Sequence, residues 1–189
     1  MKRVALFFGS FNPIHNGHIH IAHEVLNQKK ADEVQFVLSP QNPFKDSAEL
    51  WPENHRWEML TLALAQTPGM SANAVELELP KPSYTATTLK KLVSDNPSTQ
   101  YILLLGADSA ASLPAWKHAT YLSDFSLLIY PRTGSSTASF PKEQVLNEVP
   151  MQAISATAIR TTSDMDLRKT WLPAPVMTYI QEHRLLSDI

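Results

Sequence analysis

The chain has 189 residues, enough for one domain with a real core, and its 43% hydrophobic against 18% charged residues argue against a disordered chain. A formal net charge of -2 speaks against a dedicated nucleic-acid binder, which would carry a basic excess or stripe. With no cysteine present, disulfides, thiolate zinc sites and cysteine nucleophiles are excluded.

The first apolar run, Val4-Ala5-Leu6-Phe7-Phe8, is continuous and reads as a strand buried on both faces. It is too short for a secretory core or a membrane span, so a cytoplasmic enzyme that contacts no membrane is expected. Gly9 to Asn16 is a turn-rich loop. His18, Ile21, Ala22, Val25 and Leu26 then share one helical face, and Val34 to Leu38 is a second buried strand. Strand, loop, helix, strand is the βαβ unit. Ser39 to Pro52 reads as a long loop and Glu53 to Gln66 as a helix. Ala74 to Leu79 alternates like a strand, and Thr85 to Ser94 is helical. Tyr101 to Leu105, ended by Gly106, and Phe125 to Tyr130 are further strands. Pro131 to Pro141 is a Ser/Thr/Gly/Pro-rich stretch expected to be a mobile loop. Ser155 caps a short helix, and Pro175 opens a last one. The pattern predicts an α/β fold: a Rossmann-like doubly wound parallel sheet with a small C-terminal helical part, residues 1–189 forming a single domain. Ligands should bind beyond the carboxyl ends of the strands, at the loops after Phe8, Leu38 and Leu105.

The sharpest chemical signal is Gly9-Ser10-Phe11-Asn12-Pro13-Ile14-His15-Asn16-Gly17-His18, between the first strand and the first helix. Gly9 is expected to let the backbone turn tightly and approach a ligand. The helix start offers N–H groups to phosphate. His15 and His18, three apart with Gly17 between them, can both donate to phosphate oxygens, which is what phosphoryl transfer needs. The segment is not the Gly-x-Gly-x-x-Gly fingerprint of redox dinucleotide binding. His20 and His23 are assigned to a solvated helix face. Near the other end, Ile154-Ser155-Ala156-Thr157-Ala158-Ile159-Arg160 places Ser155 and Thr157 at a helix start, where they can bind phosphate oxygens. Arg160 could add a forked contact to a β- or γ-phosphate. Taken alone, that segment is also a plain cap with a surface arginine.

The first segment resembles the His-x-Gly-His signature of the nucleotidyltransferase superfamily, and the second its Ile-Ser-x-Thr-x-Ile-Arg motif. More of the chain is similar to the nicotinate-nucleotide adenylyltransferase family. The matching segments are Ser39-Pro40-Gln41-Asn42-Pro43-Phe44-Lys45, His55-Arg56-Trp57-Glu58-Met59, Pro82-Ser83-Tyr84-Thr85-Ala86-Thr87-Thr88-Leu89, Leu105-Gly106-Ala107-Asp108-Ser109, Leu113-Pro114-Ala115-Trp116-Lys117 and Leu172-Pro173-Ala174-Pro175-Val176. The resemblance implies catalytic His15 and His18. It implies an ATP site of Gly9, Ser10, Phe11, Gly106, Asp108, Ser155, Thr157 and Arg160, with Asp108 on a ribose or, through water, on a metal. For the acceptor it implies Lys45 on phosphate, Tyr84 and Thr85 offering N–H groups to a pyridine carboxylate, and Trp116 stacked on the ring. Without the resemblance, Tyr84 and Trp116 read equally as core aromatics and Lys45 as a loop lysine. The implied reaction joins AMP from ATP to nicotinate mononucleotide, with Mg²⁺ held mainly by phosphates and no metal ligand set in the protein. Alternatives are the same chemistry on nicotinamide mononucleotide or a phosphopantetheine-like acceptor, or an inactive paralogue that binds adenine nucleotides. The reading leaves room for a homo-oligomer. The chain departs from the family pattern at Phe8 and Asn12 (Gly and Asp in many members), at Phe44 (commonly His) and at Lys117 (often aromatic).

Overall fold

The structure is a computed structural model that describes residues 1–41, 50–146, 149 and 154–186. Five parallel strands form one sheet in the order β3-β2-β1-β4-β5, where β1 is Lys2–Gly9, β2 Glu33–Leu38, β3 Met70–Asn73, β4 Thr99–Gly106 and β5 Ser126–Tyr130. The chain winds outward from β1 through β2 to β3, then returns to the other side of β1 to lay down β4 and β5. The strand order therefore switches between β1 and β4, and the crevice beyond their carboxyl ends is the binding place of a doubly wound sheet.

Strand alternation divides the core between two faces. Ala5 and Phe7 of β1, Phe36 of β2 and Ile102 and Leu104 of β4 point to a first face. There they meet α1 (Asn16–Asn27), α2 (Glu53–Leu64), α6 (Ala156–Thr161) and α8 (Ala174–Glu182). Val4 and Leu6, Val37, and Tyr101, Leu103 and Leu105 point to a second face, covered by α3 (Thr85–Asp95), α4 (Ala107–Ser112) and α5 (Ala119–Leu122). Coverage on both sides is why β1 and β4 read as unbroken apolar runs and β2 as one interrupted only by Gln35. The expected C-terminal helical part is present: α7 (Met165–Trp171) and α8 follow α6, and Leu172, Val176, Met177 and Ile180 join the first-face core.

One expected strand is corrected. Ala74–Leu79 is not extended: β3 ends at Asn73, and Val75–Leu77 form a 3-10 turn. The Asn73 carboxamide oxygen accepts the Val75 N–H at 2.9 Å, an Asx-type turn that stops the strand. Glu76 is then carried inward and accepts the hydroxyls of Ser83 and Thr88, both at 2.7 Å. The short helices α4, α5 and α7 carry too few residues for a periodic pattern and were not legible as helices.

Arg56 of α2 is 2% exposed and has no ion-pair partner among the described residues. It donates instead to four carbonyls: Trp51 (2.9 Å), Ser10 (2.8 Å), Ser39 (2.9 Å) and Pro40 (2.8 Å). The guanidinium thus ties the loops after β1 and β2 to the start of α2, at the carboxyl edge of the sheet. Arg56→Met removes the donors and leaves those carbonyls buried, so it is expected to lower the unfolding free energy by about 3 kcal/mol or more. Urea denaturation checks this. Arg56→Lys should recover only part of the loss, because one ammonium lacks the planar fork that reaches separate carbonyls.

Candidate active site

A cleft of about 1480 Å³ runs across the carboxyl edge of the sheet from one face to the other. At its middle are the loop after β1, His15, His18, Gly106, Asp108 and Arg132. The arm toward the second face is lined by Glu76, Ser83, Tyr84, Thr85, Ser112, Trp116 and Lys117. The arm toward the first face is lined by Gly17, His20, Ile21, Ile154, Ser155, Ala156 and Thr157. Every residue expected at the site lines this cleft except Lys45, which lies outside the described residues, as does the neighbouring departure Phe44.

The two histidines are held by the helix they begin. His15 is the N-cap of α1, and its backbone N–H donates to His18 Nδ1 at 3.3 Å. That bond leaves the His18 ring hydrogen on Nε2 when the imidazole is neutral. The rings stack with centroids 3.6 Å apart and 25° between planes, while Phe7 and Phe11 meet His18 edge-on at 5.8 and 5.2 Å. His15 is buried, and burial, with Arg132 adding to it, pulls its pKa down to about 4. It is therefore neutral at pH 7. Among the described residues, neither His15 Nδ1 nor Ser10 Oγ, both buried, has a hydrogen-bond partner. Buried polar atoms of this kind are uncommon in native proteins, and both belong to residues that line the cleft.

The glycines act through space rather than torsion. The left-handed residue in the loop is Phe11, with φ 41°, so it makes the tight turn assigned above to Gly9. A Cβ on Gly9 would stand 2.8 Å from the Phe11 ring, so glycine is required to admit that ring. A Cβ on Gly106 would lie 2.7 Å from both Asp108 Oδ1 and Arg132 Cδ. Asp108, the first-turn acid of α4, accepts from Arg132 Nη1 at 2.9 Å.

In the first-face arm, Ser155 caps α6 by accepting the Ala158 N–H at 3.0 Å, and Arg160 Nη1 donates to the Asn12 carbonyl at 2.7 Å. The Asn12 side chain accepts the Trp51 N–H at 3.0 Å, a role that its neutral amide fills as well as an aspartate would. In the second-face arm, Tyr84 is the N-cap of α3 with extended backbone, so the Thr85 N–H belongs to the helix start and has no intrahelical acceptor. Trp116 Nε1 donates to Ser112 Oγ at 3.0 Å, fixing the indole as a wall.

Two residues were missed or misassigned. His23 is exposed as expected, but His20 lines the cleft and its Nε2 is buried with no partner among the described residues, so it does not belong to a solvated face. Its spacing of three from Gly17 was the available signal. Arg132 went unmarked, although a cation two residues beyond a buried strand stands where ligands of such sheets bind. It opens a turn in which Ser135 N donates to its carbonyl at 3.0 Å.

The comparisons agree with this geometry. The cytidylyltransferase-like family model matches residues 6–162. A Cytophaga hutchinsonii protein named probable nicotinate-nucleotide adenylyltransferase is 43% identical over 162 residues, covering 84% of each chain. A Bacteroides thetaiotaomicron protein of the same name is 36% identical over 186 residues, covering 96% of this chain and 92% of that one. The solved nicotinic acid mononucleotide adenylyltransferase of Plasmodium falciparum, complexed with NaAD, shares the fold with a TM-score of 0.79 at 18% identity, over 98% of this chain and 97% of that chain. Fold and cleft define an α/β nucleotidyltransferase. Within the cytidylyltransferase-like family, the chain belongs to the nicotinate-nucleotide adenylyltransferases.

The low pKa of His15 has a consequence for stability. Well above pH 6.5 the ring is neutral whether folded or unfolded, and contributes no pH dependence. Between 6.5 and about 4 the unfolded chain binds a proton that the folded chain refuses, so stability falls as pH falls. The full loss is on the order of 3 kcal/mol. Urea titrations at pH 7 and pH 4.5 should show His15→Gln losing less stability between the two than the unaltered protein. Parallel losses would mean that His15 ionises as it does in solution.

Proposed function

We propose that the protein transfers the adenylyl group of ATP to the phosphate of nicotinate mononucleotide, giving nicotinate adenine dinucleotide and pyrophosphate, the adenylyl-transfer step of NAD synthesis. The observation that carries this reading is the two-armed cleft with the His15–His18 pair at its middle. A dinucleotide product needs room for one nucleoside on each side of a phosphate centre. The cleft offers an arm on each face of the sheet and meets its histidines at the edge between them.

The acceptor enters the arm of Tyr84, Thr85 and Trp116. An acceptor phosphate oxygen attacks the α-phosphorus of ATP in line, the new P–O bond forms, and the bond to the bridging oxygen breaks as pyrophosphate leaves. No covalent enzyme intermediate is needed. His18 donates through Nε2 to the reacting phosphoryl group, and the neutral His15 ring stacked on it restricts its orientation. The positive charge comes from Arg160 and Arg132, with Lys45 on phosphate as well. Ser155, Thr157 and the start of α6 receive the outer phosphates, and Gly9, Ser10, Phe11 and Gly106 let the nucleotide lie close to backbone. Arg160, which reaches the Asn12 carbonyl of the loop after β1, is assigned to the β- or γ-phosphate.

Nucleotidyltransferases of this family generally use a divalent metal. We take it to be Mg²⁺, brought in by the triphosphate. The lining fits that mode rather than a protein cage. Among the described residues no three acidic or histidine side chains cluster as ligands, and Glu76 already serves two hydroxyls. Asp108, half-exposed and shared with Arg132, is the carboxylate able to meet the ion's water shell or a ribose. The ion would neutralise charge on the leaving pyrophosphate. Residues 1–189 act as one catalytic unit in this reading, working in the cytoplasm where ATP is available. Among the described residues no helix is long and apolar enough to cross a membrane.

Pyrophosphate release from ATP, with nicotinate and nicotinamide mononucleotides side by side, tests the assignment. Nicotinate mononucleotide should be preferred by roughly 10²-fold in kcat/KM, because the α3 N–H groups donate to a carboxylate but face donor to donor with an amide NH₂. Equal use of the two would remove the carboxylate-reading role from Tyr84 and Thr85. Activity with neither would overturn the reaction.

His18→Ala removes one preorganised donor at the reacting phosphoryl group and should lower kcat roughly 10²-fold or more, with the fold retained. Single-turnover kinetics separate this from slower product release. Near-normal turnover would take His18 out of the chemistry.

A further inference from the structure

The second-face arm carries an electrostatic problem that its helix start alone does not solve. Glu76 lines this arm, is 2% exposed, and accepts only the Ser83 and Thr88 hydroxyls, with no cation beside it among the described residues. Ser83 and Thr88 flank Tyr84 and Thr85 in sequence, so this carboxylate is bonded to the same short segment that carries the N–H groups assigned to the acceptor. A second carboxylate brought to the same place by a nicotinate ring is repelled by it. The start of α3 offers about half a positive charge at best. Asp108 and Arg132 offset one another nearer the middle of the cleft, and Arg160 lies across the sheet edge on α6.

Among the described residues, Lys117 is the remaining cation of this arm. It lines the cleft next to Trp116, and its ammonium sits over the Tyr84 ring, 4.2 Å from the centroid. That contact holds an exposed, flexible side chain against the N-cap residue of α3. The ammonium is thus parked beside the helix start and the indole wall, where the polar end of a stacked pyridine ring would come to rest. It carries three donors and a full charge, against which an amide gains far less than a carboxylate.

Resting on the acceptor assignment above, we infer that Lys117 is a specificity-determining residue: its ammonium pairs with the carboxylate of the acceptor ring and offsets Glu76. The two acceptors test this internally, because nicotinate and nicotinamide mononucleotides share phosphate, ribose and ring and differ only at the group that Lys117 is assigned to read. kcat/KM is measured for both, at saturating ATP, in the unaltered protein and in Lys117→Met, Lys117→Glu and Lys117→Arg.

Lys117→Met should lower the nicotinate-to-nicotinamide ratio about tenfold, the loss of a charge-assisted contact, and the change should fall on KM for nicotinate mononucleotide rather than on kcat. Lys117→Glu should lower the ratio further, and Lys117→Arg should restore most of it. A ratio unchanged within about twofold across the set overturns the inference. So does an equal loss for both acceptors, which would put the lysine on phosphate or on packing. Failure of the acceptor assignment is seen separately: the unaltered protein would then use neither acceptor, and the inference would fall with it.

Discussion

The site depends on one buried positive charge that has no ion-pair partner among the described residues. Arg56 is dehydrated, and burial lowers its pKa from the ordinary value while Glu53 acts the other way. Carbonyl dipoles replace the water it has lost. Those dipoles belong to Ser10, Ser39, Pro40 and Trp51, on three stretches of chain that are also joined by the Ser39 N–H to the Gly9 carbonyl and the Trp51 N–H to the Asn12 side chain. The strands fix where the loops begin, but strands do not fix where loops go. A planar, five-donor cation in their midst does, and it explains why the nucleotide loop can keep Ser10 Oγ and His15 Nδ1 unsatisfied without collapsing onto them.

Around that anchor the cleft separates tasks by face. Aromatic and helix-start features suited to a planar, carboxylate-bearing ring lie with α3, whereas helix starts and small residues suited to a triphosphate lie with α1 and α6. Between them stands an imidazole pair whose inner member is neutral and whose outer member has its tautomer chosen by a backbone N–H. The charged groups with freedom to move, Arg132 and Lys117, sit in exposed positions, where reorientation costs little. Catalysis by positioning needs this combination of fixed centre and adjustable rim.

Much of this was legible in the residues. Buried parallel strands leave near-continuous apolar runs, so β1, β2 and β4 were readable, and with them the crevice. The His15–His18 spacing after a strand named the reacting centre. Other parts failed for physical reasons. Val75–Leu77 alternates like a strand, but the Asn73 side chain ends the extended stretch locally, and alternation cannot register a side-chain-to-backbone bond. Arg132 and His20 acquire meaning only from neighbours remote in sequence. Gly9 was rightly marked and wrongly explained: the constraint is the volume of the Phe11 ring, not a torsion of Gly9. Lys45 lies outside the described residues, so its role rests on resemblance alone.

The end of α6 is fastened from further along the chain. Arg168 of α7, 1% exposed, donates to the carbonyls of Ile159 and Thr162, and Asn16 at the start of α1 donates to the Thr170 carbonyl at 2.8 Å. A six-residue helix has too few internal bonds to persist alone. The segment that presents Ser155, Thr157 and Arg160 therefore owes its shape to residues beyond position 162, where the family match stops. A fragment cut at that position would keep every side chain assigned to ATP yet lose the clamp that arranges three of them, so the smallest working piece of this protein extends at least through α7.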